Sequence, residues 1–78
     1  MPNEETITIQ RLLDPQSSAA QQRAALRWLA DYLEQGYILN LRPSRDLLRG
    51  LEDFAAQPQG DAALKKRAAN LHKKYRPR

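Results

Sequence analysis

The residues of this chain that could carry chemistry are mostly basic, and they are concentrated at the C-terminal end. Residues 62–78 contain seven lysines and arginines and no acid, a balance of +7. Residues 1–61 contain six basic and nine acidic residues, a balance of −3. A basic terminal segment on a near-neutral body is a common layout for contact with nucleic acid. The alternative is a solvated helix that its charge keeps soluble.

The basic residues of this segment surround a narrow apolar stripe of Leu64, Ala68, Leu71 and Tyr75. With the stripe docked, the helix would present a positive ridge to phosphates, and binding would depend on salt because neutralised phosphates release counterions. Lysine suits contact with the backbone better than recognition of bases. The predicted nucleic-acid contacts on this ridge are Lys65, Lys66, Arg67, Lys73, Lys74 and Arg76.

Three further arginines, Arg42, Arg45 and Arg49, form a second candidate contact for nucleic acid. A row of exposed arginines at a helix N-terminus is typical of a helix that enters a DNA groove. The alternative is a set of surface ion pairs, since Glu52 and Asp53 follow Arg49 at helical spacing.

Catalysis has little support in the sequence. His72 is the one histidine, there is no cysteine, and the three glycines are scattered. This composition predicts no enzyme activity, no metal, no cofactor and no small-molecule substrate.

The aromatic residues Trp28, Tyr32 and Tyr37 have two interpretations. They are most simply part of the core, but tryptophan and tyrosine are also favoured at protein interfaces. The apolar residues of their helix spread over an arc of roughly 160° at 100° per residue. An arc this wide indicates a central helix that touches two others, or a helix with a partner outside the chain.

The spacing of apolar residues predicts an all-α fold. Small size without disulfides or metal also makes a homodimer one option. We expect residues 1–5 and 76–78 to be disordered, and residues 6–13 to form a short helix rather than a strand. The three main helices are expected at about 15–35, 45–57 and 62–75, in one domain spanning 1–78.

Capping residues set the predicted helix boundaries. Asp14 before Pro15 is expected to start the second helix, with Ser17 and Ser18 as alternative caps, and Gly36 to end it in a left-handed conformation. Residues 37–41 are then an apolar connector packed over the core. Ser44 and Asp61 are expected to cap the last two helices. The predicted core residues are Leu29, Leu33, Leu47, Leu51 and Phe54.

One short pattern resembles a known family. The alternating Thr6-Ile7-Thr8-Ile9-Gln10, followed by Ser44-Arg45-Asp46-Leu47-Leu48-Arg49, resembles the ribbon-helix-helix repressors. The resemblance implies that Thr6, Thr8 and Gln10 face a DNA groove from a strand shared by two subunits. The spacing between strand and second helix is longer than in that family, so the resemblance is a minor alternative.

Two functions remain open from the sequence. The first is a small accessory or regulatory protein that binds nucleic acid, DNA in the first instance, through its basic C-terminal helix. The second is an adaptor or inhibitor that binds another protein, such as one with an acidic surface, through the apolar face of the second helix and the apolar connector that follows it. The acidic N-terminus does not resemble a signal peptide and no segment could span a membrane, so we expect a cytoplasmic location.

Overall fold

The computed structural model of the chain describes residues 3–76, and most of these residues are helical. The elements are α1 (Glu4–Leu13), α2 (Ala19–Ile38), α3 (Arg45–Ala55) and α4 (Ala62–Tyr75). The predicted all-α fold is confirmed, with the N-terminal segment as a helix. The strand alternative for residues 6–10 is therefore wrong, and the resemblance to ribbon-helix-helix repressors loses its basis. Within the described range, no helix is long and apolar enough to span a membrane.

Helix α1 begins earlier than the sequence indicates. The Asn3 side chain caps it by accepting a hydrogen bond of 2.8 Å from the Thr6 amide, and Glu4 and Glu5 occupy its first turn. Acidic groups are favourable there because they face the positive end of the helix dipole. Residues 3–5 are thus ordered rather than disordered as predicted. Of the predicted tail, Arg76 forms the C-cap of α4, and positions 1, 2, 77 and 78 lie outside the described residues.

Helix α2 begins at Ala19 and not at about residue 15. Ser18 is the N-cap, and it forms a capping box in which its hydroxyl accepts from the Gln21 amide while the Gln21 side chain accepts from the Ser18 amide. Asp14 instead ends α1 and accepts a hydrogen bond from the Gln16 amide, at 2.8 Å. The Asp14-Pro15 pair therefore forms the turn between the two helices, because the Asp14 side chain accepts its hydrogen bond within that turn.

Helix α2 also continues past Gly36, where a stop was predicted, and ends at Ile38. The left-handed residue is Asn40, with φ of 59°. The Leu41 amide donates to the Gly36 carbonyl and the Asn40 amide donates to the Tyr37 carbonyl, at 2.7 and 3.0 Å. These two bonds form a Schellman motif. Asparagine tolerates this conformation better than most residues, so Asn40 takes the role assigned to the glycine.

Helices α3 and α4 begin at the predicted caps. Ser44 accepts from the Leu47 amide, and Asp61 accepts from the amides of Ala63 and Leu64. Helix α3 ends at Ala55, two residues before the predicted limit of 57. Gly60, with φ of 102°, provides the turn into α4.

The four helices pack in a ring rather than around a central helix. In the part of the chain described, α1 and α4 each lie against both α2 and α3, whereas α2 and α3 are diagonal. Helix α2 contacts two others, α1 and α4, as its wide apolar arc predicts, but it is not central, because every helix of the ring contacts two neighbours. The predicted core residues are confirmed, since Leu29, Leu47, Leu51 and Phe54 are fully buried and Leu33 nearly so. Leu64 and Ala68 of the α4 stripe are buried, and Leu71 and Tyr75 pack against them.

Candidate functional site

Four consecutive or near-consecutive apolar residues at the end of α2 are exposed to solvent. Tyr37, Ile38, Leu39 and Leu41 are 75%, 73%, 68% and 63% exposed, and we call them the apolar patch. The prediction that this connector packs over the core is therefore wrong. The reason is topological. Because α2 and α3 are diagonal, the connector passes over one end of the bundle, where its side chains remain largely exposed.

The helix end itself contributes to this exposure. A Schellman motif commonly packs the residue after the left-handed position against the last turn of its helix. Here that residue is Leu41, and the position opposite it is Gly36, which has no side chain. A Cβ placed on Gly36 would lie 4.0 Å from the Leu41 Cβ, so the usual partner of Leu41 is missing.

A groove of about 210 Å³ adjoins the apolar patch. Leu39 and Leu41 form part of it, Gly36 lies in its wall, and Arg42 is its one charged lining residue. The remaining lining residues come from the middle of α2 and the start of α3: Tyr32, Leu33, Gln35, Pro43 and Ser44.

The apolar patch continues onto the basic end of α4. The rings of Tyr37 and Tyr75 meet edge to face, with centroids 6.4 Å apart. The Lys74 Nζ lies 5.2 Å from the centre of the Tyr75 ring. Tyr75 therefore links the apolar patch to Lys74, and Arg42 follows the patch directly in sequence.

Most of the predicted basic ridge is exposed on α4. Lys66, Arg67, Lys73 and Lys74 all face solvent, and so does the C-cap Arg76. Lys65 differs, because its Nζ donates a hydrogen bond of 2.9 Å to the Gln57 carbonyl just after α3. That bond gives Lys65 a role in holding α4 to the preceding loop.

Arg45 and Arg49 are exposed on α3. No hydrogen bond among residues 3–76 joins either arginine to a residue of the basic ridge. The alternative of ion pairs with Glu52 and Asp53 is wrong, since among residues 3–76 no carboxylate lies within salt-bridge distance of Arg49, and Glu52 pairs instead with the side chain of His72. In that pair the His72 Nε2 lies 3.8 Å from the Glu52 Oε2. Residues 3–76 hold no group of three or more potential metal ligands.

A second cleft, of about 610 Å³, lies between the start of α1 and the middle of α2. Trp28 and Tyr32 stack in its wall with ring centroids 5.1 Å apart, beside Glu4, Glu5 and Asp31. Tyr37 points elsewhere, so the three predicted interface aromatics form two separate sites.

Glu5 links three elements at the edge of this second cleft. Its carboxylate accepts hydrogen bonds from the Ser44 hydroxyl and, at 3.4 Å, from the Tyr32 hydroxyl. The negative charge of Glu5, followed by partial burial and that hydrogen bond, raises the pKa of Tyr32 above 10.0. The role of Glu5 in joining these elements is not predicted from the sequence, because residues 1–5 were expected to be disordered.

Comparison of the chain with protein-family models, curated proteins and solved structures finds no significant match.

Proposed function

We propose that this chain is a protein-interaction module that binds its partner through the apolar patch. One observation carries the proposal: four adjacent large apolar side chains are exposed in a domain whose other large apolar side chains are mostly buried. Soluble monomers seldom expose contiguous apolar surface of more than a few hundred Å², and patches of that size are often functional. Aromatic and aliphatic residues inside a polar rim are also typical of the centre of an interface.

The exposure is not needed to complete the fold. The buried core cluster, which includes Leu12, Leu26, Leu29, Leu47, Leu51 and Phe54, contains no residue of the apolar patch. Each exposed apolar side chain also increases the tendency to aggregate. Selection against aggregation would therefore replace these residues if they had no other role. A binding partner gives these side chains a reason to be retained.

Site-specific crosslinking tests this proposal. A photoreactive amino acid replaces Ile38 in one variant and Ala20, exposed near the start of α2, in the control. We expect one protein to crosslink in source cells at position 38 and not at position 20, and its purified form to bind the wild type but not Ile38→Asp. A second copy of this chain as the adduct would make the module a homodimer. Absence of a protein adduct above the control would overturn the proposal.

Binding of nucleic acid through α4 is the second candidate function. Lys66, Arg67, Lys73 and Lys74 are exposed, and the structure gives none of them a carboxylate partner among residues 3–76. Free cations along a helix suit contact with a phosphate backbone. Arg45 and Arg49 would provide additional contacts to DNA.

Fluorescence anisotropy at several salt concentrations tests this second candidate. Lys66, Lys73 and Lys74 are replaced by glutamine, and the control replaces the exposed Arg11, Arg23 and Arg27, so both variants lose the same charge. If α4 contacts DNA, only the lysine variant should bind more weakly, with a salt slope flatter by about 0.9 per lost contact. Equal losses in both variants, or a wild-type Kd above about 100 μM near physiological salt, would exclude it.

A further inference from the structure

We infer that the groove beside the apolar patch binds one large apolar side chain of a partner protein, next to an aspartate or glutamate that pairs with Arg42. This inference rests on the proposed protein-binding function and specifies its partner. It is carried by three features of the groove: the glycine in its wall, its volume and its charge.

Gly36 is the first feature. It lies inside α2 with helical backbone geometry, where glycine is less favourable than alanine. A Cβ at this position would meet only the Leu41 carbonyl at 3.9 Å and the Leu41 Cβ at 4.0 Å, which are ordinary van der Waals contacts. The fold thus has room for alanine and would gain a contact with Leu41. What glycine provides instead is an open wall in the groove.

The size of the groove fits a single large side chain. Its volume of about 210 Å³ exceeds that of a cavity of about 150 Å³ that admits benzene. Leu39 and Leu41 of the apolar patch form an apolar part of its wall. A leucine, phenylalanine or tryptophan side chain would therefore replace water in contact with apolar surface.

The charge of the groove specifies the neighbour of that side chain. Arg42 is the one charged residue in its lining, is exposed, and has no carboxylate partner among residues 3–76. Glu5, which accepts hydrogen bonds from Ser44 and Tyr32, lines the adjacent cleft instead. Lys74 contacts the ring of Tyr75, which packs on Tyr37 of the apolar patch. An acidic partner would satisfy these cations, whereas a second copy would bring the same positive charges into opposition across a two-fold axis.

A basic rim around apolar residues also suits an anionic membrane surface, but the shape favours a protein. A bilayer is entered by side chains that protrude, whereas this groove is concave. Pockets at protein interfaces are filled by large anchor residues of the partner. Vesicle binding is therefore an outcome to be measured in the same experiment.

Selection from a phage library of random peptides tests the inference. Enriched peptides are synthesised and titrated into the ¹⁵N-labelled full chain, with vesicles of phosphatidylglycerol and phosphatidylcholine in a parallel titration. We expect the peptides to share a large apolar residue beside Asp or Glu. Amide shifts should be concentrated at Gly36, Leu39, Leu41 and Arg42.

Three variants make the result specific. Arg42→Glu should weaken peptide binding about tenfold, because a cation at the contact becomes an anion. The control Arg27→Glu makes the same charge change at an exposed site outside the groove and should have no effect. Gly36→Ala should weaken binding about fourfold, the equivalent of one CH₂ excluded from the contact, while raising the melting temperature. If the fold required glycine at position 36, Gly36→Ala would instead lower the melting temperature.

The outcomes separate this inference from the function on which it rests. Some peptides could shift the amides of Tyr37 and Ile38 and bind Arg42→Glu and Gly36→Ala with unchanged affinity. That result would overturn the groove assignment and leave protein binding in place. Vesicles that shift the apolar patch when no peptide does would overturn both.

Discussion

Gly50 of α3 lies against Ile9 of α1 so closely that no side chain fits between them. A Cβ placed on Gly50 would be 2.8 Å from the Ile9 Cγ2, a distance that real Cβ atoms essentially never show. Gly50 is buried, so the two helices approach at the point where α3 has no side chain. This glycine is therefore required by packing, in contrast to Gly36, whose Cβ would make ordinary contacts.

Gly50→Ala should destabilise the protein although alanine favours helix. Overpacking costs about 1–3 kcal/mol, and the gain in helix propensity offsets about 1 kcal/mol of that cost. We expect a net loss of up to about 2 kcal/mol in the free energy of unfolding, measured by urea denaturation. In an Ile9→Ala background the methyl group has room, so Gly50→Ala should become stabilising. The same sign in both backgrounds would show that Ile9 is not the obstacle.

Substitutions in the core should cost much more stability than substitutions in the apolar patch. Leu51 and Phe54 are fully buried, so replacing either with alanine should cost about 2–5 kcal/mol. Leu39 is 68% exposed, and Leu39→Ala should change stability by less than about 0.5 kcal/mol. Thermal and urea unfolding measure all three. A comparable loss for Leu39→Ala would mean that the patch supports the fold, which would weaken the case for a binding role.

The capping box at Ser18 should contribute measurably to stability. Ser18→Ala removes the acceptor for the Gln21 amide and should cost about 1 kcal/mol. Ser18→Asp keeps an acceptor at the N-cap and should retain most of the wild-type stability. If Ser18→Ala is neutral while Asp14→Ala is costly, the sequence-based start of α2 at Asp14 would be right and the boundary at Ala19 wrong.

Tyr32 should make stability fall at alkaline pH. Its pKa in the folded chain is raised above 10.0, chiefly by the charge of Glu5. The folded state therefore holds the phenolic proton more tightly than the unfolded state. The resulting stability is present below pH 10 and is lost as the pH rises through the raised pKa. Glu5→Gln should lower the pKa of Tyr32, observed by ultraviolet titration in a Tyr37→Phe, Tyr75→Phe background. An unchanged titration would show that Glu5 is not the cause.

Local signals in the sequence predicted much of the fold. Ser44 and Asp61 are short polar side chains that accept hydrogen bonds from amides within their own helix, so their role depends on neighbours in sequence. The face of α3 that carries Leu47, Leu51 and Phe54 follows directly from helical periodicity. Both kinds of prediction need no knowledge of how the helices pack.

The site could not be predicted in the same way, because it depends on which helices are neighbours. Residues 37–41 are apolar, and composition alone favours their burial. They are exposed because α2 and α3 lie diagonally and their connector runs over an open end of the bundle. The choice between Gly36 and Asn40 as the left-handed residue also depends on the three-dimensional structure. Both residue types adopt that conformation, and which one does so depends on where α2 ends in three dimensions.

The separation between the apolar patch and the core has an evolutionary consequence. No fully buried residue belongs to the patch, so mutations in Tyr37, Ile38, Leu39 and Leu41 can accumulate without crossing the stability threshold that removes most core mutations. Lineages could therefore exchange one binding partner for another while keeping the same scaffold. Among descendants of this chain, we expect residues 37–42 to diverge faster than the buried positions of α3, with each change in the connector marking a change of partner.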